Sequence, residues 1–147
     1  MSEPLFLTSY NSVSERFAIL DEYSNTGILY LTKKGTQEPE RDAFAYMMIE
    51  LIEHETWKKR MQDGEPPLLS EAIASNNSVI KNTKESDFTF EWSTDGESVA
   101  LFYKGSPIAL STIRHKYGFS KSVIKETPIV NPWDDDTYNE IFKSPNK

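Results

Sequence analysis

A first stretch of alternating apolar and polar residues predicts a β-hairpin. Phe17, Ile19 and Tyr23 share one parity, which is the spacing of side chains on one face of a strand. Residues 24–27 (SNTG) have the composition of a turn, and the apolar residues 28–31 follow as a second strand. We therefore expect two antiparallel strands in this part of the chain.

A second stretch predicts an antiparallel meander. Residues 88–92 (FTFEW) alternate most clearly, and Asp95-Gly96 follows them as a hairpin turn. Residues 99–103 and 108–113 continue the pattern on either side of a second turn (KGSP). The segment 117–124 is a candidate fourth strand, but Gly118 disfavours a regular strand there.

Helical spacing occurs in three places. Apolar residues recur every three or four positions from Phe44 to Met61, which predicts a helix of about five turns that ends before Gly64 and two prolines. A short helix is predicted at 67–73, followed by a polar loop over 75–87. Another is predicted at 134–142, before a frayed tail at 144–147.

Strands, then helices, then strands indicate the α+β class. We expect a single domain over residues 1–147, with an antiparallel meander sheet, one long helix and one or two short helices packed on one face. The 147 residues suit a single core, and 37% hydrophobic residues are enough to form it.

Composition and charge narrow the function classes. The chain has no cysteine, which excludes disulfides and thiolate metal sites. The segment MSEPLFLTSYNS lacks the basic and apolar regions of a secretory signal, and no apolar run reaches the roughly 20 residues that span a bilayer. We therefore expect a cytoplasmic protein without a membrane partner.

The net charge of −7 and the pI near 4.9 make nucleic acid a disfavoured partner, because phosphates would be repelled. The one basic segment, Arg114 to Lys125 with Tyr117 and Phe119, is weak against that charge. Residues 1–100 hold 18 acidic and 9 basic side chains, whereas residues 101–147 hold 5 and 7. Acids crowd into 38–55 and 85–97, and each cluster is either a solvated face or an attractive surface for a basic partner.

Residues that often carry catalysis form no recognisable set. His54 has no second histidine four positions away, and His115 is either an exposed residue or a companion of an anionic group. Ser120 follows Gly118, but Ser122 stands where the esterase elbow needs a second glycine. We therefore expect no catalytic residues and a protein that is not an enzyme.

Metal and cofactor motifs are also absent from the sequence. The triplet Asp134–Asp136 lacks the alternation and the glycine of an EF-hand loop, and acids that open a helix explain it more simply. The six glycines are isolated and match no phosphate-binding loop. We predict no metal and no cofactor.

Trp133 is the aromatic residue with the most suggestive setting, because it follows a proline and precedes three acids. It is either an aromatic anchor for a partner or a cap on a sheet edge. Tyr46 and Trp57 are further candidate anchors, and an exposed sheet edge could accept a strand from a partner.

A small, acidic, cysteine-free α+β chain with clustered acids and no catalytic set resembles the immunity proteins that bacteria make against their own toxins. The resemblance is one of type and brings no site residues with it. It implies a stoichiometric inhibitor that binds a toxin, often a basic nuclease, and blocks its active site. An acidic surface would speed the approach of such a basic partner.

The leading prediction is therefore a non-catalytic binding protein that neutralises a toxin or effector in a tight complex. The alternatives are a structural or adaptor subunit of a phage or mobile-element complex, and a small hydrolase. The predicted partner-binding residues are Glu50, Glu53, Glu55, Asp87, Glu91, Asp95, Glu97, Trp133, Asp134 and Asp135.

Overall fold

The computed structural model describes residues 4–23, 25–48, 54–63, 79–124 and 130–142. These ranges contain nine strands, two α-helices and a short 3-10 helix at Glu85–Asp87. The strands are β1 (Phe6–Asn11), β2 (Arg16–Tyr23), β3 (Thr26–Thr32), β4 (Pro39–Met47), β5 (Phe88–Trp92), β6 (Ser98–Tyr103), β7 (Ser106–Thr112), β8 (Phe119–Ser120) and β9 (Asn131–Pro132). The helices are α1 (His54–Gln62) and α2 (Asp135–Phe142).

The strands form two sheets, where the sequence predicted one. The first sheet is a four-stranded antiparallel meander in the order β1-β2-β3-β4. The second has the order β5-β6-β7-β8-β9 and is antiparallel except for the parallel pair β8–β9. The chain is therefore α+β, as predicted, and richer in strands than in helices. Neither helix of the described ranges is long and apolar enough to cross a membrane.

One apolar core lies between the two sheets, where β3 and β4 pack across β6, β7 and β8. Each large side chain buried there contributes about 1.5–3 kcal/mol, so hydrophobic contact is the main force between the sheets. Its fully buried members come from both sheets and include Ala18, Leu20, Leu29, Leu31, Ala43, Val99, Leu101 and Ala109.

β4 occupies residues for which the sequence predicted a helix. The prediction of a helix from Phe44 was wrong over 44–47, which belong to β4; residues 49–53 lie outside the described residues, and 54–62 are helical as α1. Residues 43–47 (AFAYM) are buried at every position, because β4 lies inside the molecule and is irregular in its pairing with β3. In a strand buried on both faces, helical spacing arises by chance. The predicted short helix at 67–73 lies outside the described residues, as do the first part of the predicted 75–87 loop and the predicted tail.

The hairpin predictions are confirmed. Asn25, Gly96 and Gly105 have positive φ angles of 66°, 71° and 87° at the β2–β3, β5–β6 and β6–β7 turns. The weak fourth strand survives only as the two residues of β8, and α2 forms where the last helix was predicted. β1 was missed because its exposed positions include Phe6 and Tyr10, so its pattern is apolar on the outside.

A carboxylate is buried at the edge of the core. Glu22 is 5% exposed, and its Oε2 accepts hydrogen bonds from the hydroxyls of Tyr46 (2.6 Å) and Thr83 (2.5 Å). Its Oε1 accepts one from the Leu5 N–H at 2.9 Å. The Tyr46 ring lies directly on Gly27, where any Cβ would clash with it. Because Thr83 leads towards β5, this carboxylate ties the first sheet to the start of the second.

Arg16 joins the two sheets by ion pairs. Its Nη1 lies 2.7 Å from Glu40 Oε1 in β4, and its Nη2 lies 2.9 Å from Glu97 Oε1 in the β5–β6 turn. Nη1 also donates to the Thr32 carbonyl at 2.8 Å. The Arg16 side chain is only 10% exposed. A buried guanidinium needs compensating acceptors, and the two glutamates and the Thr32 carbonyl supply them here.

The opposite side of the core is closed by side chains that bond to backbone carbonyls of the other sheet. The Ser111 hydroxyl donates to Leu29 O at 2.9 Å, and the Ser122 hydroxyl donates to Ala45 O at 2.6 Å. Arg41 Nε donates to the His115 carbonyl at 3.0 Å. β3 at Leu29, and β4 at Arg41 and Ala45, are thereby fastened to the second half of the chain.

Replacement of Arg16 by Met should destabilise the protein strongly. Glu40 and Glu97 would face each other without their cation, which we expect to cost about 3 kcal/mol of unfolding free energy in urea titrations. The matched control is Lys33→Met, because Lys33 makes an exposed ion pair with Glu38 at 3.4 Å. That change should cost less than about 1 kcal/mol. Equal losses in the two variants would contradict the structural role of Arg16.

Stability should fall as the pH rises above about 10. Burial and the neighbouring Glu22 raise the pKa of Tyr46, so the folded protein keeps the phenol protonated while the unfolded chain ionises it. Unfolding therefore releases a proton in this range and is favoured by alkali. Urea midpoints at neutral and alkaline pH should show a flatter decline for Tyr46→Phe than for the wild type. Tyr23→Phe, at an exposed position, should keep the wild-type slope.

Candidate functional site

The acidic triplet at residues 134–136 begins α2. Asp134 Oδ1 accepts a hydrogen bond from the Asp136 N–H at 3.2 Å, and its Oδ2 accepts one from the Thr137 hydroxyl at 2.6 Å. Asp134 is therefore the N-terminal cap of the helix, which agrees with the prediction that these acids open a helix. Asp135 and Asp136 lie in its exposed first turn, where negative charge is favoured by the helix dipole.

Tyr138 attaches α2 to the second sheet. Its ring is buried, and its hydroxyl donates a hydrogen bond of 2.6 Å to Glu91 Oε1 in β5. Burial and this carboxylate raise the pKa of Tyr138. The rings of Trp133 and Phe142 stand 5.3 Å and 4.8 Å from that of Tyr138. The helix is thus held against the sheet by a row of three aromatic side chains.

Trp133 is held in place on both sides. Its backbone N–H donates to Ser120 O at 2.9 Å, and its indole N–H donates to Asp135 Oδ1 at 2.8 Å. Lys121 Nζ lies 5.2 Å from the centre of the ring. Because Trp133 directly follows the edge strand β9 and is half-buried, it caps the sheet edge and also presents part of its ring to solvent.

A shallow concavity of about 460 Å³ opens beside this ring. Its lining includes His115, Phe119, Trp133 and Asp134, and the His115 ring meets the Phe119 ring edge-on at 5.1 Å. Aromatic walls with the Asp134 carboxylate at the rim suit a cationic or aromatic side chain of a partner. We refer to Trp133, the acids 134–136 and this concavity as the Trp133 surface.

Three of the four acids predicted from residues 85–97 have internal side-chain partners in the structure. Glu97 pairs with Arg16, and Glu91 accepts the hydrogen bond of Tyr138. Asp95 is partly buried, which acts to raise its pKa, but hydrogen bonds from the Glu97 N–H and the Ser93 hydroxyl outweigh burial and lower the pKa. These acids therefore stabilise a turn, a helix contact and the junction of the sheets. Asp87 lies in the 3-10 helix and is half-buried.

Only some of the acids predicted from residues 38–55 lie in the part of the chain that the structure describes. Glu55 is exposed in the first turn of α1, whereas Glu50 and Glu53 lie outside the described residues. The prediction of Tyr46 as an anchor was wrong, because its side chain is fully buried in the core. The side chain of Trp57 also lies outside the described part of the chain. A partner-binding role for the acids themselves stays a prediction.

The structure separates the other residues that the sequence singled out. Ser120 and Ser122 are buried, and the Ser120 hydroxyl accepts the Ser122 N–H at 3.0 Å, so the elbow-like serine has no access to a substrate. Arg114 lies 3.9 Å from Asp95, and Lys121 lies over Trp133. The basic segment is therefore divided between two places. In the described ranges, no three His, Asp or Glu side chains are grouped to hold a metal ion.

A basic cleft was not foreseen from the sequence. It has a volume of about 570 Å³, and three lysines, at positions 81, 104 and 121, are among its lining residues together with Tyr103. These lysines are far apart in the sequence and each stands in a polar turn or loop. Only the arrangement of the strands brings them together.

No family model matches the chain, and neither a curated protein nor a solved structure is significantly similar to it. The geometry of the described residues therefore carries the functional argument.

Loss of the Tyr138 hydroxyl should loosen α2. In Tyr138→Phe, Glu91 would lose its donor, and we expect a local cost of about 1–2 kcal/mol. Amide hydrogen exchange within α2 should then rise by roughly tenfold, because local opening sets the exchange rate. Exchange in β2 and β3 should stay unchanged, and Tyr23→Phe is the control. An α2 that exchanges as slowly as in the wild type would show that the Glu91 contact does not hold it.

Proposed function

We propose that the protein is a non-catalytic inhibitor, of the kind that the immunity resemblance implies, and that it neutralises a basic toxin or effector through the Trp133 surface. The observation that carries the proposal is the pairing of a half-buried, firmly held indole with the exposed acids Asp135 and Asp136 beside an open concavity. Rigid aromatic anchors surrounded by polar groups are typical centres of protein interfaces.

Charge supports the choice of partner. The chain carries −7, and several acids of the 85–97 cluster are already neutralised or bonded inside the molecule. Asp135 and Asp136 lie side by side on the exposed first turn of α2, and the Asp135 carboxylate stays exposed although it accepts the indole N–H of Trp133. Such a surface speeds the approach of a basic protein and repels acidic competitors. Glu55 on α1 is a further exposed acid that a large partner could contact.

The first experiment is purification of the tagged protein from its own host, with mass spectrometry of everything that co-elutes. We expect one basic protein at one-to-one stoichiometry, held through moderate salt, whose toxic activity falls in proportion to the added inhibitor. A protein that elutes with no partner, or a partner whose activity is unaffected in the complex, would contradict the proposal.

The Trp133 surface is tested with that partner by a charge-matched pair of variants. Asp135→Asn with Asp136→Asn should slow association by about threefold to tenfold at low salt and flatten its salt dependence. The control, Glu15→Gln with Asp63→Asn, removes the same charge at exposed positions in the β1–β2 turn and directly after α1. If both pairs of changes slow association equally, only the net charge matters and the surface is misassigned.

The indole itself is tested through dissociation. Trp133→Ala should raise the dissociation rate by roughly thirtyfold, which corresponds to about 2 kcal/mol for a central aromatic side chain. Tyr23→Ala, at an exposed ring of the first sheet, should leave the rate unchanged. An unchanged rate in Trp133→Ala would mean that Trp133 only caps the sheet edge.

A further inference from the structure

β1 forms an edge of the first sheet, and its outward side carries exposed aromatic rings. Among the described strands, only β2 pairs with it. Phe6 is 61% exposed and Tyr10 is 54% exposed, with the exposed Thr8 between them. A flat, apolar edge strand is a template for another strand unless charge, proline or a covering segment protects it.

The hydrogen bonds to β2 show which backbone groups of β1 point outward. The Glu22 N–H donates to the Leu5 carbonyl at 3.0 Å, so the odd-numbered positions of this strand bond to β2. The even-numbered positions Phe6, Thr8 and Tyr10 alternate with them. Their N–H and C=O groups therefore point away from the sheet, and their side chains lie on its solvent face.

We propose that the chain forms a two-fold symmetric homodimer in which β1 pairs antiparallel with β1 of a second copy. The two-fold axis lies at Thr8, so that Thr8 faces Thr8 and Phe6 faces Tyr10 of the other copy. This register forms roughly six backbone hydrogen bonds and joins the two four-stranded sheets into one. The dimer does not depend on the toxin partner, because it uses the first sheet and leaves α2 free.

The side chains fit this register. Tyr10 already packs on Phe17 of β2 with ring centres 4.9 Å apart. In the dimer, Phe6 of the second copy continues that row from the other side of Tyr10, and the symmetry repeats the row. Cross-strand aromatic pairs each contribute about 0.2–1 kcal/mol, and burial of the exposed rings adds to this.

The charge distribution allows a second copy to pair along β1, because this strand brings no like charges together. β1 (FLTSYN) contains no charged residue, although the chain carries −7. The edge strand of the second sheet, β5, contains Glu91 and lies between Asp87 and Asp95. Like charges would oppose each other if β5 paired with itself, whereas β1 brings none together. β1 is therefore the edge along which two acidic copies can meet.

Single cysteines test the register directly, because the chain has none of its own. In the dimer, the Cα atoms of the two Thr8 residues would lie about 5.5 Å apart, within the span of a disulfide. Thr8→Cys should therefore form a covalent dimer under mild oxidation. A mixture of Phe6→Cys and Tyr10→Cys should cross-link, whereas each variant alone should not, since identical positions are then about 13 Å apart. Thr89→Cys, exposed on β5, is the control that should form no covalent dimer, although the non-covalent dimer through β1 persists.

Sedimentation velocity tests the association without cross-linking. Thr8→Pro removes an outward N–H and keeps the bonds to β2, and Thr8→Lys sets two cations against each other on the axis. Both variants should weaken dimerisation by about tenfold or more, while Thr89→Lys, with the same charge change, should leave it intact. Urea midpoints identify any variant that is misfolded.

A wild-type chain that sediments as a monomer at all concentrations would overturn the proposal. So would a dimer that persists in folded Thr8→Lys, or cross-linking of Phe6→Cys with itself instead of with Tyr10→Cys. If the chain is monomeric but Thr8→Lys blocks the toxin partner, the β1 edge belongs to that partner and not to a second copy.

Discussion

The arrangement of this protein depends on one buried cation. Arg16 stands where the two sheets meet, between Glu40 of the first sheet and Glu97 of the second. Hydrophobic burial pulls the sheets together but is indifferent to their relative position. The guanidinium must reach two carboxylates and the Thr32 carbonyl, which restricts how the sheets can move relative to each other. Any shift of one sheet would leave a buried charge without its partner. Arg16 thus fixes the position that the apolar core only favours.

Because Arg16 binds two glutamates inside the molecule, not every acid of this chain can be counted as surface charge. A chain with 23 acids and 16 bases looks like a negative surface, but the most informative acids of the second cluster face inward or sideways to Arg16, Tyr138 and a turn. Carboxylates that hold a fold cannot turn to a partner without loosening it. The charge proposed for recognition lies at the start of α2, on Asp136 and on Asp135, whose exposed carboxylate is bonded only within the proposed surface, to the Trp133 indole. Recognition and stability therefore depend on different acidic residues of the chain.

Local sequence patterns predicted correctly those elements whose conformation is set by residues close together in the sequence. The turns at Asn25 and Gly96 and the acids that open α2 were all predicted, because turn and cap preferences act within a few residues. β4 was not, since its burial on both faces is a property of the assembled sandwich and hides the strand period. For the same reason the sequence placed Trp133 beside its acids but could not bring His115 or Lys121 to it. Tyr46 was misjudged because its fit over Gly27 and its bond to Glu22 link distant parts of the chain.

The edge strands β1 and β5 show how charged and uncharged residues are divided between folding and association. β5 has an acid within it and acids on both sides, and one of them, Glu91, also receives Tyr138 of α2. That edge is protected by the same charges that anchor the helix. β1 carries no charge, yet its inner face is fixed by the bond from Trp92 Nε1 to the Ser9 hydroxyl at 3.0 Å. An uncharged, aromatic edge strand can approach another strand without charge repulsion, and a strand that is already ordered in its sheet loses little conformational entropy when another strand binds. The absence of acids from β1 therefore indicates an edge suited to association, just as the acids elsewhere indicate contacts that hold the fold.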